Sequence, residues 1–116
     1  MKTIKMQFER RGLLALALVG LFIFFNSCSS SSAPPANQVF IQGMAFSPAT
    51  LTVSVGTTVK WTNKDAVTHT VTSDSGVFDS GNKANGETFS FMFMTAGTYS
   101  YHCTIHPSMT AKIVVN

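Results

Sequence analysis

Near the C-terminus, Cys103, His106 and Met109 stand at three-residue intervals in Cys103-Thr104-Ile105-His106-Pro107-Ser108-Met109. Far upstream lies a second candidate histidine, in Val67-Thr68-His69-Thr70-Val71. Two imidazoles, one thiolate and one thioether are the ligand set of a trigonal copper site with a weak axial methionine. Four protein donors leave no open position of the kind a catalytic metal keeps for water or substrate. The chemistry this set predicts is electron exchange, not the making or breaking of bonds. Taken singly, each residue has an ordinary reading: a hydrogen-bonded strand histidine, a core methionine, an inert buried cysteine. Their combination, between an aromatic strand and a final strand, favours a metal.

Cysteine usage supports this. The chain has only two cysteines, Cys28 and Cys103. Cys28 belongs to the N-terminal segment, so Cys103 has no partner. Exported chains commonly pair their cysteines, and a lone thiol in an oxidising compartment asks for a role such as metal ligation.

The elements that must position these residues read as short β-strands from Gln38 onward. Val39-Phe40-Ile41 is brief. Leu51-Thr52-Val53-Ser54-Val55 alternates with period two, turns at Gly56-Thr57 and returns as Thr58-Val59-Lys60-Trp61-Thr62, in the manner of a hairpin. Asn63-Lys64-Asp65 is a turn before the His69 strand. Further turns follow at Ser73 to Gly76 and Asn85-Gly86. Phe89, Phe91 and Phe93 alternate with polar residues and methionines. Thr98 to Cys103 and Lys112 to Val115 complete the series. Seven or eight strands without a helical repeat predict an all-β, two-sheet antiparallel sandwich. Alternation puts Tyr99, Tyr101 and Cys103 on the inward side and His102 on the opposite one. His102 is then either an ordinary solvated side chain or a second electron exit through its bond to Cys103.

The N-terminus reads as an export signal. Lys2, Lys5, Arg10 and Arg11 precede an apolar run from Gly12 to Phe25, followed by Asn26 and Ser27. The run is short of the roughly twenty residues a spanning helix needs. Cys28 resembles the lipid-attachment cysteine of bacterial lipoproteins, although Phe25 stands where that signal usually has Leu. The predicted organisation is a signal peptide over 1–27, a lipidated Cys28 with a flexible Ser/Ala/Pro tether over 28–37, and one domain over 38–116. The formal charge of +3 comes from the signal. From Cys28 onward Lys60, Lys64, Lys83 and Lys112 balance Asp65, Asp74, Asp79 and Glu87, so no basic footprint for nucleic acid exists.

The segments Met44-Ala45-Phe46-Ser47-Pro48, Leu51 to Asn63 with Gly56 and Trp61, His69, Ala96-Gly97-Thr98-Tyr99-Ser100-Tyr101-His102-Cys103, His106 and Met109 together resemble a cupredoxin. This is the type 1 blue-copper family that includes plastocyanin, pseudoazurin and amicyanin, and the two-residue gap between His106 and Met109 most resembles amicyanin. The resemblance implies a Greek-key sandwich with copper at one end. It implies His69 Nδ1, His106 Nδ1 and Cys103 Sγ as the trigonal ligands, Met109 as the axial one, and His106 as an electron port ringed by Met44, Phe46, Ile105 and Pro107.

Two departures carry expectations. Much of the family has Asn after the first histidine, tying the two ligand loops together. Thr70 stands there with a shorter side chain, which predicts looser loops. Amicyanin has Pro where this chain has Ile105, whose N–H would add a second donor to the sulfur.

The function expected is one-electron carriage by a single Cu(I)/Cu(II) ion in the bacterial cell envelope. The carrier would be a monomer, not an enzyme, held in the periplasm by a lipid anchor, at the outer membrane more than the inner. Its partners would be redox proteins: a cytochrome, dehydrogenase, oxidase or reductase. The alternative is copper carriage with the same residues. A copper enzyme would need a second site with further histidines, and only His102 remains unassigned.

Overall fold

The computed structural model describes residues 34–116. The signal, Cys28 and the first part of the tether lie outside the described residues. Entry into the domain is fixed by two backbone bonds: Gln38 N–H donates to Pro35 O at 3.2 Å, and Lys60 N–H donates to Asn37 O at 3.0 Å.

Among the described residues, eight strands form two four-stranded sheets. The first holds β1 (Gln38–Ile41), β2 (Phe46–Ser47), β4 (Thr57–Asn63) and β6 (Thr88–Phe93), in the order β2-β1-β4-β6. The second holds β3 (Thr50–Val53), β5 (Thr72–Ser73), β7 (Gly97–His102) and β8 (Thr110–Val115), in the order β3-β8-β7-β5. This is the sandwich the alternation predicts, but neither sheet is purely antiparallel. β1 runs parallel to β4 and β3 runs parallel to β8.

The reason lies in the Ser54–Thr57 turn. It reads as a hairpin, yet it carries the chain from one sheet to the other. β3 pairs with β8, while β4 pairs with β1 and β6. Period-two alternation fixes which face of a strand is buried but not which strand lies beside it. Gly56 supplies the left-handed backbone of the turn, at φ 93°, and Thr57 N–H closes it on Ser54 O at 3.1 Å.

Trp61 organises the core. It is 1 % exposed and its ring lies within 5.7 Å, centroid to centroid, of Phe78, Phe89 and Tyr101. Phe78 belongs to no strand but packs on Phe91 and Phe93 as well. Of the phenylalanine row on β6, only Phe93 is fully buried; Phe89 and Phe91 lie against the cluster from its rim.

Trp61 Nε1–H donates to Tyr101 Oη at 3.1 Å, joining β4 to β7 across the sandwich. Burial pushes the Tyr101 phenol above its ordinary range, against the smaller opposing effect of the Trp61 bond, so it stays neutral and can accept. Tyr101→Phe leaves the indole N–H without this acceptor in an apolar core. That should cost about 1–3 kcal/mol, read as a lower midpoint in denaturant at unchanged slope.

Candidate metal centre

Two loops at one end of the sandwich build the site. The first leaves β4 at Asn63 and carries His69. The expected strand over Val67 to Val71 does not form. His69 instead makes a single bridge to Lys83, with its N–H donating to Lys83 O at 3.1 Å and its O accepting from Lys83 N–H at 2.8 Å. Much of the bracing expected from a strand comes from side chains. Asn63, fully buried, donates through Nδ2 to Val67 O at 2.9 Å and Lys83 O at 2.8 Å, and accepts at Oδ1 from Asp65 N–H at 2.9 Å. Asp65 accepts at Oδ1 from Gly43 N–H (2.7 Å) and at Oδ2 from Met44 N–H (3.0 Å), and its Oδ2 lies 2.9 Å from His69 Nε2. The sequence reading gives Asn63 and Asp65 only a turn. A polar residue that opens a turn and a carboxylate four before a histidine are too common to signal more.

The second loop spans the β7–β8 connection. His102 pairs with Thr110 in the ladder, so residues 103–109 must close on themselves. Cys103 N–H donates to Met109 O at 3.1 Å and Met109 N–H to His106 O at 2.9 Å. Cys103 is fully buried and Met109 is 5 % exposed, both in the core cluster.

The loops meet at Cys103 Sγ. His69 Nδ1 lies 3.8 Å from it and His106 Nδ1 3.6 Å. One donor atom from each of the three residues falls within 4.8 Å of the others. A nitrogen and a sulfur donor spread at 120° about one ion, with metal–nitrogen and metal–sulfur bonds of about 2.0 and 2.3 Å, stand about 3.7 Å apart. The spacing and softness of this set therefore fit a copper-sized ion. Met109 enters the same loop by its backbone bonds and its burial.

Thr70 corrects one expectation. Its N–H donates to Cys103 Sγ at 3.3 Å, and its Oγ1 accepts Thr104 N–H at 2.8 Å and lies 3.1 Å from Thr104 Oγ1. The short side chain does tie the two loops, because Thr104 comes to meet it. A second correction concerns Ile105: the other backbone N–H on the sulfur is that of His106. Phe46 does not ring the port either. It is buried against Tyr101, with ring centroids 4.8 Å apart, while Met44 and Ile105 are exposed. His102 points away from the cluster and pairs through Nδ1 with Asp74 Oδ1 at 2.6 Å.

Burial disfavours the Cys103 thiolate, but the N–H of Thr70, His69 and the backbone and ring of His106 outweigh it and hold the thiol down at about 6. Partial burial likewise disfavours the Asp65 carboxylate, and the N–H groups of Met44 and Gly43 with His69 outweigh it, holding the carboxyl below its usual range. For copper-free protein a thiolate absorbance titration should give a midpoint near 6 instead of the ordinary 9.0. The sign for stability follows. The unfolded chain holds the thiol proton over this interval and the folded chain does not, so the Cys103 contribution grows from pH 6 to 9 and is lost as pH falls through 6. A midpoint close to 9 would show that the sulfur is not solvated by these donors.

Residues 14–115 match the Cupredoxin-like domain family. The chain belongs to the cupredoxin family. It is similar to amicyanin from Paracoccus denitrificans, with 40 % identity over 90 residues that cover 72 % of this chain and 67 % of that one. It is also similar to a chloroplastic plastocyanin from Tetradesmus obliquus, 32 % identical over 85 residues, covering 62 % of this chain and 59 % of the relative. Among solved structures, a reduced amicyanin mutant superimposes with a TM-score of 0.66 at 37 % identity, covering 70 % of this cupredoxin and 82 % of the other chain.

Proposed function

We propose that this cupredoxin carries single electrons between redox proteins of the bacterial cell envelope, through one type 1 copper held by His69, Cys103, His106 and Met109. Cupredoxins of the amicyanin and plastocyanin kind are electron-transfer proteins and not enzymes. The observation that carries the reading is the convergence of His69 Nδ1, Cys103 Sγ and His106 Nδ1 from two separate loops onto one buried point. Bound copper would supply one-electron exchange between Cu(I) and Cu(II).

The protein's share is to hold the donors still. Hydrogen bonds outweigh burial and hold the Cys103 thiol down at about 6, which favours the thiolate that ligation requires. Cys103 and His69 lie out of solvent, which keeps water from the sulfur. The Thr70–Thr104 tie and the Asn63 bonds oppose rearrangement of the two loops when the charge at the site changes. His106 is the partly exposed member of the three, and it serves as the port through which electrons enter and leave. Exposed Met44 and Ile105 suit brief apolar docking, of the small interface size typical of transient redox encounters.

Export on the 1–27 signal, lipidation at Cys28 and tethering of a monomeric domain to the periplasmic face of the outer membrane complete the proposal. Adding Cu(II) to purified protein should give an intense blue colour and a reversible one-electron couple, with the metal retained against a chelator. Prompt loss of Cu(I) to the chelator would instead favour copper carriage. For the anchor, Cys28→Ala should move the protein from the membrane fraction to the soluble periplasm.

A further inference from the structure

The Asp65 carboxylate is surrounded by hydrogen-bond donors. Oδ1 takes Gly43 N–H, and Oδ2 takes Met44 N–H while lying 2.9 Å from His69 Nε2. An ionised carboxylate only accepts, so His69 Nε2 must carry a proton. The neutral ring then has its lone pair on Nδ1, the atom that faces Cys103 Sγ at 3.8 Å. These three contacts hold the carboxylate itself, while the loop that carries it is anchored separately at the backbone: Asp65 N–H donates to Asn63 Oδ1 at 2.9 Å, and Asp65 O accepts Asn85 Nδ2 at 2.8 Å. The contact is well screened from solvent, with the His69 side chain 0 % exposed and that of Asp65 15 %.

We propose that Asp65 is a positioning residue of the metal centre that fixes the His69 tautomer and, as a constant negative charge behind the imidazole, makes the site favour Cu(II) over Cu(I). The inference rests on the ligand set proposed above. An anionic partner on the far nitrogen raises the basicity of the metal-facing one, and the stronger donor stabilises the more highly charged ion. Asparagine cannot replace it silently. Its amide offers one acceptor and one donor group where all three neighbours donate, so either Gly43 N–H or the pair Met44 N–H and His69 Nε2–H meets an NH2.

The test compares wild type with Asp65→Asn, Asp65→Ala, the conservative Asp65→Glu, and Asn85→Ala, which loosens the same loop without removing the charge. Potentials are measured by voltammetry on the copper-loaded proteins. The Asn and Ala variants should still turn blue, with a preference for Cu(II) over Cu(I) about tenfold weaker, equal to a rise of about 59 mV for a one-electron couple. Cu(II) affinity should fall about tenfold in the same variants. Asp65→Glu should recover part of the shift, and Asn85→Ala should leave the potential at the wild-type value. Independently of copper, nitrogen-15 NMR of the metal-free protein should find His69 protonated at Nε2 in wild type and mixed between its two tautomers in Asp65→Ala. Thermal denaturation of each metal-free variant confirms that it is folded. Unchanged potentials in folded, blue Asn and Ala variants, or an Nδ1–H tautomer in wild type, would overturn the role of Asp65 and leave the ligand set standing. A wild type that binds no copper would instead overturn the ligand set.

Discussion

Cys103→Ser protein should remain folded and lose the intense blue colour entirely when Cu(II) is added. Cys103 is the one residue of the cluster that can supply a soft, anionic donor, and Thr70 N–H, His69 and His106 hold its thiol down at about 6 despite its burial. A serine hydroxyl in the same 0 %-exposed position is harder and far less acidic, so it cannot supply the thiolate that soft sites use to select copper. The drop in copper affinity should exceed the roughly 10–100-fold typical of losing an outer partner of a metal ligand. Because the swap removes little volume, the metal-free variant should keep its fold, checked by its circular dichroism. Visible absorption on copper titration decides the matter: a variant that stays blue would remove Cys103 from the ligand set.

Asn63→Ala is expected to be the most damaging change outside the metal ligands. It removes three bonds at a fully buried position. The carbonyl of Val67 and the N–H of Asp65 lose this partner, and the carbonyl of Lys83 keeps only the His69 N–H. Each stranded buried polar group costs about 1–3 kcal/mol, and water entering the space offsets part of this, so a loss of about 3 kcal/mol is expected in denaturant unfolding. The same bonds hold both sides of the His69 bridge, so the copper-loaded variant should also exchange its metal faster. Unfolding with wild-type stability would mean that the His69–Lys83 bridge and the Asp65 and Thr70 contacts hold the loop without Asn63.

These two residues mark how far the sequence could be read. The cysteine, the two histidines and the methionine were legible because their chemistry is rare and three of them share one short loop. The inward face of β7 was legible from alternation, and Cys103 lies on it. The His69 segment reads as a strand because Val-Thr-His-Thr-Val alternates, yet among the described residues it finds no neighbouring strand beyond one bridge at Lys83. Thr70 looks too short to join the loops in sequence, since nothing local reveals that Thr104 lies opposite it.

The identity of the donors and the all-β character therefore belong to the sequence alone, because residue type sets ligand softness and period-two alternation sets strand character. Sheet membership, the parallel pairs β1/β4 and β3/β8, the Asn63 and Asp65 contacts and the approach of His69 to Cys103 across 34 positions belong to the tertiary structure. Each depends on which distant segment is adjacent in space, and that is decided by packing across the whole sandwich, not by any local pattern.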